Sequence, residues 1–264
     1  MAIIVDDVGY EAQPLDDFIA LRRPLTFSIL PVEGSRELAA ACAAAGFDVM
    51  LHLPMQPRRA APNPGPGCIT VDMTDREIAA QVERDLAAVP GALGVNNHMG
   101  SRATADSRVM TEALSALRAR GLFFVDSITT GASVGEETAA RLGVPHAARD
   151  VFLDTNFEAE PKTTEEFIND ASERMRQLGG IARRRGAAIG ICHYHARTAQ
   201  MLGRLLPQLE QAGFQLVPVS TLVSAAAPAA RGRAAGMGAA RARSPRVGEP
   251  SPGRLRGGAP APAR

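Results

Sequence analysis

Short apolar runs alternate along the chain with longer segments in which apolar residues recur every three or four positions. Runs of the first kind are typical of buried strands, and segments of the second kind are typical of helices packed on one face. The predicted strands are Ala2–Val5, Leu25–Leu30, Phe47–Leu53, Leu93–Asn96, Leu122–Asp126, Val151–Asp154, Ala187–Cys192 and Gln215–Val219.

Capping residues and glycines mark the predicted helix boundaries. Thr74 and Glu77 have the spacing of a capping box, and an amphipathic pattern from Ile78 to Val89 follows them. Further predicted boxes are Ser133 with Glu136 and Thr163 with Glu166; Ser35 and Asp106 are predicted helix starts, and Gly46, Gly121 and Gly213 are predicted ends.

Strands that alternate with helices from end to end predict an α/β fold with a parallel sheet and right-handed crossovers. The sheet is either open and doubly wound or closed into a barrel. No glycine-rich phosphate loop follows the first strand, which counts against the nucleotide-binding open sheets and favours a barrel of seven to eight strands. The proline-rich segment 56–67 is predicted to be a long loop over the sheet edge.

Composition divides the chain into two parts. Residues 1–224 have the apolar content of a single folded domain. Residues 225–264 contain eight Arg and one Glu among Ala, Pro and Gly, so we predict a disordered tail. An arginine-rich arm can bind nucleic acid, but no aromatic residue lies among these arginines, and we expect a solvated extension without a nucleic-acid partner.

The cysteines and apolar runs exclude several classes of protein. Cys42, Cys68 and Cys192 are widely spaced, so neither a thiolate zinc site nor a disulfide framework is indicated. No apolar run is long enough for a membrane span. No signal segment precedes Asp6, which predicts a cytoplasmic product from the sequence as written.

Residues with acid–base or metal-binding chemistry lie at the carboxyl ends of the predicted strands, except near Arg149, which precedes the strand Val151–Asp154. The carboxyl ends of parallel strands share one face of a barrel, so these residues are expected to lie close together. Each one alone has an ordinary explanation as a core histidine, a helix cap or a turn residue, and only their coincidence favours a site. They are Asp6, Asp7, His52, Asn96, Asn97, His98, Ser101, Arg102, Asp126, Ser127, Arg149, Asp154, His193 and His195.

Metal-assisted hydrolysis is the chemistry that suits this set. One carboxylate and two imidazoles are a typical three-ligand set for zinc or a similar divalent ion that keeps a position for water. Asp7, His52 and His98 fit the ligand roles. Asp6 fits the general base and His193 the general acid.

Six segments also resemble the divergent polysaccharide deacetylases, relatives of the carbohydrate esterases with a NodB-like distorted (β/α) barrel. They are residues 3–10, 50–55, 94–102, 123–127, 149–154 and 216–220. The resemblance implies that Asp6 is the base, Asp7 a metal ligand and His193 the acid. Its His-x-x-x-His motif begins at His52, but Gln56 replaces the second His, and His98 is inferred as the substitute. Cys192 stands where this branch usually has Gly; it is expected to be a small buried residue, and a competing metal ligand is the alternative.

The implied reaction is removal of an N- or O-acetyl group from a glycan, with Arg102 or Arg149 available to hold an oxyanion or a substrate carboxylate. Two alternatives remain open: a catalytically inactive glycan-binding or cell-envelope scaffold, and a metal hydrolase acting on a non-sugar amide. The resemblance also implies a periplasmic or exported location. The expected substrate-binding residues are Asn96, Asn97, Ser101, Arg102, Asp126, Ser127, Arg149, Asp154 and His195.

Overall fold

A computed structural model describes residues 1–9, 14–59, 63–154 and 163–223, so the predicted tail and the middle of the proline-rich loop lie outside the described residues. The strands are β1 (Ala2–Val8), β2 (Thr26–Ile29), β3 (Asp48–Met55), β4 (Gly94–Met99), β5 (Phe123–Asp126), β6 (His146–Ala148), β7 (Val151–Phe152) and β8 (Ile189–His193). The helices are α1 (Leu15–Ala20), α2 (Ser35–Ala44), α3 (Asp75–Ala88), α4 (Ser107–Ala119), α5 (Gly135–Leu142), α6 (Thr164–Arg185) and α7 (Ala196–Gln211), with a 3₁₀ turn at Ala103–Ala105.

All eight strands are parallel and form one sheet in the order β6-β5-β4-β3-β2-β1-β8-β7. Only Arg149 and Asp150 separate the two edge strands along the chain, so these strand ends lie within about 11 Å of each other. The Arg149 amide donates to the Asp126 carbonyl, and the Asp150 amide donates to the Ile189 carbonyl, both at 2.9 Å. Two successive residues thus join the opposite edges, and the sheet curls into the expected distorted barrel.

Strand alternation divides the side chains between two apolar cores. Ile3 and Val5 of β1 belong to the core between the sheet and its helices, whereas Ala2 and Ile4 belong to a smaller core inside the curl. Val219 belongs to this inner core as well. The inside of the curl is therefore filled with apolar side chains towards the amino ends of the strands.

The predicted last strand, Gln215–Val219, is wrong. The Val217 amide donates to the Met1 carbonyl at 2.9 Å, but Pro218 has no N–H, and the Val219 amide donates to the Thr26 hydroxyl at 3.0 Å. A ladder of backbone hydrogen bonds therefore cannot continue through Pro218 and Val219. Residues 219–223 are helical instead.

The predicted capping boxes at Thr74 and Thr163 and the cap at Asp106 are confirmed. The box at Ser133 is wrong, because its hydroxyl donates to the Asp126 carboxylate at 2.6 Å. Ser35 is the first residue of α2 rather than its cap, and its hydroxyl donates to the Leu30 carbonyl.

Two short elements are missing from the sequence prediction. Helix α1 was not predicted, and it has only one buried residue, Phe18. Strand β6 was not predicted either, and its residues His146, Ala147 and Ala148 are all half-buried. Neither element has the apolar run or repeat on which the prediction relied.

Candidate metal centre

The backbone of Asp7 brings two adjacent carboxylates to the same side of β1. The pairing with β2 is irregular between Val5 and Val8, and Asp7 has a φ of 61°. In a regular strand, successive side chains point to opposite faces, so the left-handed residue allows Asp6 and Asp7 to converge. Aspartate tolerates this conformation better than most residues.

Two further left-handed residues lie at the same edge of the sheet. Met99 ends β4 with a φ of 53°, and Ile128, just after β5, has a φ of 47°. A left-handed β-branched residue is a genuine outlier that costs about 1–3 kcal/mol, and such strain concentrates at functional sites. Among the described non-glycine residues with a positive φ, only Arg22, before β2, lies elsewhere, so this strain is concentrated at the carboxyl edge.

Three atoms that could bind a metal ion form a triangle at this edge. Asp7 Oδ1 lies 3.1 Å from His52 Nε2 and 2.8 Å from His98 Nδ1, and the two nitrogens are 3.2 Å apart. Tetrahedral zinc with bonds of about 2.0–2.1 Å separates its ligand atoms by roughly 3.3 Å, so the triangle is close to one face of such a tetrahedron. Asp7 Oδ1 is buried, and no donor in the described residues meets it with hydrogen-bond geometry. The donor set therefore fits a divalent metal ion.

Asn96 sets the tautomer of His52. The Asn96 amide group donates to Asp6 Oδ1 at 2.8 Å and faces Ser127 Oγ at 3.3 Å, which leaves its oxygen as the acceptor. That oxygen receives the Ser28 hydroxyl and lies 2.8 Å from His52 Nδ1. His52 Nδ1 must therefore carry the proton, and its Nε2 lone pair faces the ligand triangle.

The two carboxylates differ in environment. Asp6 is buried, and burial raises the pKa of its carboxyl group, although the imidazolium form of His52 opposes this. Asp6 Oδ2 lies 3.7 Å from His52 Nε2, next to the triangle. Burial would also raise the pKa of Asp7, but the adjacent imidazoles of His52 and His98 hold it below its usual range. Asp7 is thus suited to permanent ionisation and Asp6 to accepting a proton.

His193 lies opposite Asp6, because the two residues are register partners on β8 and β1. Its Nδ1 is 2.9 Å from Asp154 Oδ1, and its backbone amide donates to Asp154 Oδ2 at 2.7 Å. Thr198 donates to the same Oδ2 at 3.0 Å. Burial alone would lower the pKa of His193, but the hydrogen bond and charge of Asp154 raise it to about 9. His193 therefore carries a proton at neutral pH.

A stack of planar groups closes this side of the site. The Arg149 guanidinium carbon lies 3.8 Å from the centre of the Phe152 ring, which stacks on His193 with centroids 5.7 Å apart. Arg149 also donates to the carbonyls of Ser127 at 2.8 Å and Ile128 at 3.0 Å. The guanidinium is thereby fixed where the chain passes from the edge strand β6 to the edge strand β7.

Several residues expected to bind substrate shape loops instead of lining the triangle. Asn97 Oδ1 accepts the Ser127 amide at 2.9 Å, and its amide group donates to the Met99 carbonyl at 2.8 Å. Asp126 accepts the Ile128 amide at 2.8 Å in addition to the Ser133 hydroxyl, so it holds the turn after β5.

The remaining predicted residues lie at the rim. Ser101 and Arg102 follow β4 beyond the triangle, and His195 is the N-cap residue of α7. Gln56 accepts the Val71 amide at 3.0 Å, so its side chain supports the loop after β3. Cys192 belongs to the core on the helix side of the sheet, which excludes it as a competing ligand.

Sequence reasoning missed Ser28, Phe152 and Thr198. Ser28 had a recognisable signal, because it is the one polar residue between Phe27 and Leu30 of an apolar strand. Phe152 and Thr198 had none, since an apolar residue at a strand end and a threonine in a first helical turn are both common.

Comparisons with known proteins support a single family. The model of the divergent polysaccharide deacetylase family matches residues 3–223. An uncharacterized protein of Haemophilus influenzae is 33% identical over 223 residues, which are 84% of this chain and 76% of the relative.

Solved structures show the same fold. The uncharacterized protein ATU2773 from Agrobacterium tumefaciens C58 superposes with a TM-score of 0.74 at 22% identity, covering 84% of this chain and 87% of that one. A mutant of BA3943 from Bacillus anthracis, a CE4 family pseudoenzyme with restored enzymatic activity, gives a TM-score of 0.51 at 14% identity, covering 84% and 66%.

The helices that the structure describes are all too short or too polar to cross a membrane. The matched span of the family model contains β1 from Ile3 onwards, the other seven strands and every residue of the ligand triangle. The chain therefore belongs to the divergent polysaccharide deacetylase family.

Proposed function

We propose that this protein is a metal-dependent hydrolase that removes acetyl groups from a glycan. The observation that carries the proposal is the triangle of Asp7, His52 and His98, with a buried carboxylate on one side and a protonated imidazole on the other. This arrangement provides a metal site, a base and an acid within one edge of the sheet.

The ligand atoms favour zinc among divalent ions, because two imidazole nitrogens and one carboxylate oxygen form a common zinc set with room for water. When bound, the ion supplies Lewis-acid activation of water and of the acetyl carbonyl. Asp6 Oδ2 accepts the proton of the attacking water. His193 Nδ1 is bonded to Asp154, so the proton that His193 donates to the leaving nitrogen or oxygen is on Nε2.

One observation favours an alternative, a glycan-binding protein without turnover. Gln56 replaces the second histidine of the His-x-x-x-His motif and is bonded to Val71 rather than directed at the triangle. BA3943, a structural neighbour, is described as a pseudoenzyme whose mutant regained activity.

Metal analysis tests the ligand assignment. We expect the purified protein to bind about one divalent ion, and Asp7→Asn and His98→Gln each to lose most of it. His146→Gln is the matched control, since His146 lies in β6 and bonds to the Val144 carbonyl. Full metal content in both ligand variants contradicts the assignment.

Acetate release tests turnover. A screen over N-acetylated and O-acetylated oligosaccharides and simple acetamides should give release from a glycan that is lost in Asp6→Asn, while the metal content of that variant is retained. Release from amides alone favours a non-sugar hydrolase. A metal-loaded protein that releases acetate from no substrate favours the binding protein.

A further inference from the structure

A cavity of about 490 Å³ lies at the carboxyl edge of the sheet, the edge that also holds the metal centre. Described residues that follow β3, β4 and β5 line it. Met99 lines the cavity and directly follows the ligand His98 in the chain, so the two sites are joined through β4. Its volume is within the range of about 300–1,000 Å³ that is typical of small-molecule sites.

The polar groups that line this cavity are mainly hydrogen-bond donors. Arg58 and Arg59 contribute two exposed guanidinium groups, which have donors only. Ser101 Oγ accepts the Arg58 amide at 2.9 Å, and Thr130 Oγ1 accepts the Ala132 amide at 3.3 Å, so both hydroxyl protons are left for a ligand. The Thr129 hydroxyl donates to the Met99 carbonyl at 2.8 Å, so its proton is not available to a ligand.

The charge of the cavity is not neutralised within its wall. None of the described residues that line it is acidic. The nearby carboxylate of Asp7 is committed to the ligand triangle, and that of Asp126 to the turn after β5. Donor groups of positive charge without an internal acceptor are suited to an anionic ligand with several oxygens.

The rest of the lining is apolar. Pro57 and Met99 provide flat, uncharged surface next to the guanidinium groups. A sugar ring that carries an anionic substituent combines these two requirements, because its C–H face packs on apolar surface while its charged oxygens accept from arginine.

We propose that this cavity is a subsite for an acidic sugar, whose carboxylate is bound by Arg58 and Arg59. The inference rests on the proposed function for the position of the acetyl group, which would lie at the metal centre on the same or the neighbouring sugar. The substrate of the enzyme would then be an acidic glycan.

Binding to the metal-free full chain tests the subsite without requiring turnover. Isothermal titration calorimetry would compare tetragalacturonate with the neutral cellotetraose. We expect the acidic tetrasaccharide to bind more tightly, with an affinity that falls as salt is added. The double variant Arg58→Gln/Arg59→Gln should weaken it at least about tenfold, which is the loss expected for one hydrogen bond to a charged group.

The control is Arg84→Gln/Arg118→Gln, which removes two exposed arginines from α3 and α4 and should change the affinity less than about twofold. Equal affinity for the neutral tetrasaccharide, or unchanged binding in the Arg58/Arg59 variant, overturns the subsite. Binding of glucose 6-phosphate without binding of tetragalacturonate overturns the carboxylate assignment. Loss of acetate release alone bears on the proposed function and leaves this result standing.

Discussion

Replacing Asp154 with asparagine should convert His193 from a protonated to a neutral imidazole at pH 7. Asp154 Oδ2 accepts both the His193 amide and the Thr198 hydroxyl, so the asparagine oxygen would take that position. Its amide group would then face His193 Nδ1 as a donor. A donor at Nδ1 stabilises the neutral ring, and burial acts in the same direction.

The size of the effect follows from the pKa of His193. Burial lowers the pKa of His193, but the hydrogen bond and charge of Asp154, with smaller contributions from the charges of Asp7 and Asp6, raise it to about 9. Relative to an ordinary value of about 6.5, the difference corresponds to about 3 kcal/mol. Because the folded-state pKa of His193 is the higher one, this stabilisation is complete below about pH 6.5 and is lost as the pH rises to about 9. Asp154→Asn should remove most of that pH-dependent part of the free energy of unfolding, because Asp154 is the largest of the contributions that raise this pKa.

Two measurements on metal-free protein check this. Histidine NMR titration should find the pKa of His193 below about 6.5 in the variant, with the signal assigned through His193→Gln. Urea unfolding between pH 6 and pH 9 should show a smaller fall in stability than in the wild type. Asp106→Asn is the matched control, because asparagine caps a helix as well as aspartate does. A His193 pKa within half a unit of the wild-type value refutes the reasoning.

Two further predictions concern Asn96 and Gly94. Asn96→Leu removes the acceptor of His52 Nδ1 and the donor to Asp6, so the metal affinity should fall about 10–100-fold. The control Asn169→Leu changes an exposed residue and should leave the metal dissociation constant unchanged. Gly94→Ala would place its Cβ 2.3 Å from the Phe123 ring, which should lower the free energy of unfolding by at least about 1–3 kcal/mol. Gly131→Ala meets nothing within 4 Å, and a chemical-denaturation midpoint as low as that of Gly94→Ala would contradict the packing argument.

The sequence was sufficient for the fold class because the strands of a curled parallel sheet are covered by helices and read as short apolar runs. The edge strand β6 was missed because His146, Ala147 and Ala148 are only half-buried and carry no such run. The last predicted strand failed at Pro218, where the apolar pattern is correct but the backbone donor is missing.

The sequence predicts which residues of the site lie close together, but not how their side chains are oriented. Residues after parallel strands share an edge, which placed Asp7, His52 and His98 close together. The left-handed conformation of Asp7 and the orientation of Asn96 depend on tertiary packing, and no local pattern encodes them. The triangle and the tautomer therefore became visible only in three dimensions.

The position of β1 between β2 and β8 has a consequence for folding. Ala2 pairs with Ile189, so one edge of the first strand stays unpaired until nearly the whole domain has been synthesised. Pairings between residues so far apart in sequence slow folding, because the entropy of closing a long loop is lost before the contact forms. Asp6 and His193 meet in this same pairing. The proposed base and acid are thus brought together by one of the slowest contacts to form, and the chain acquires its complete site only when the fold itself is complete.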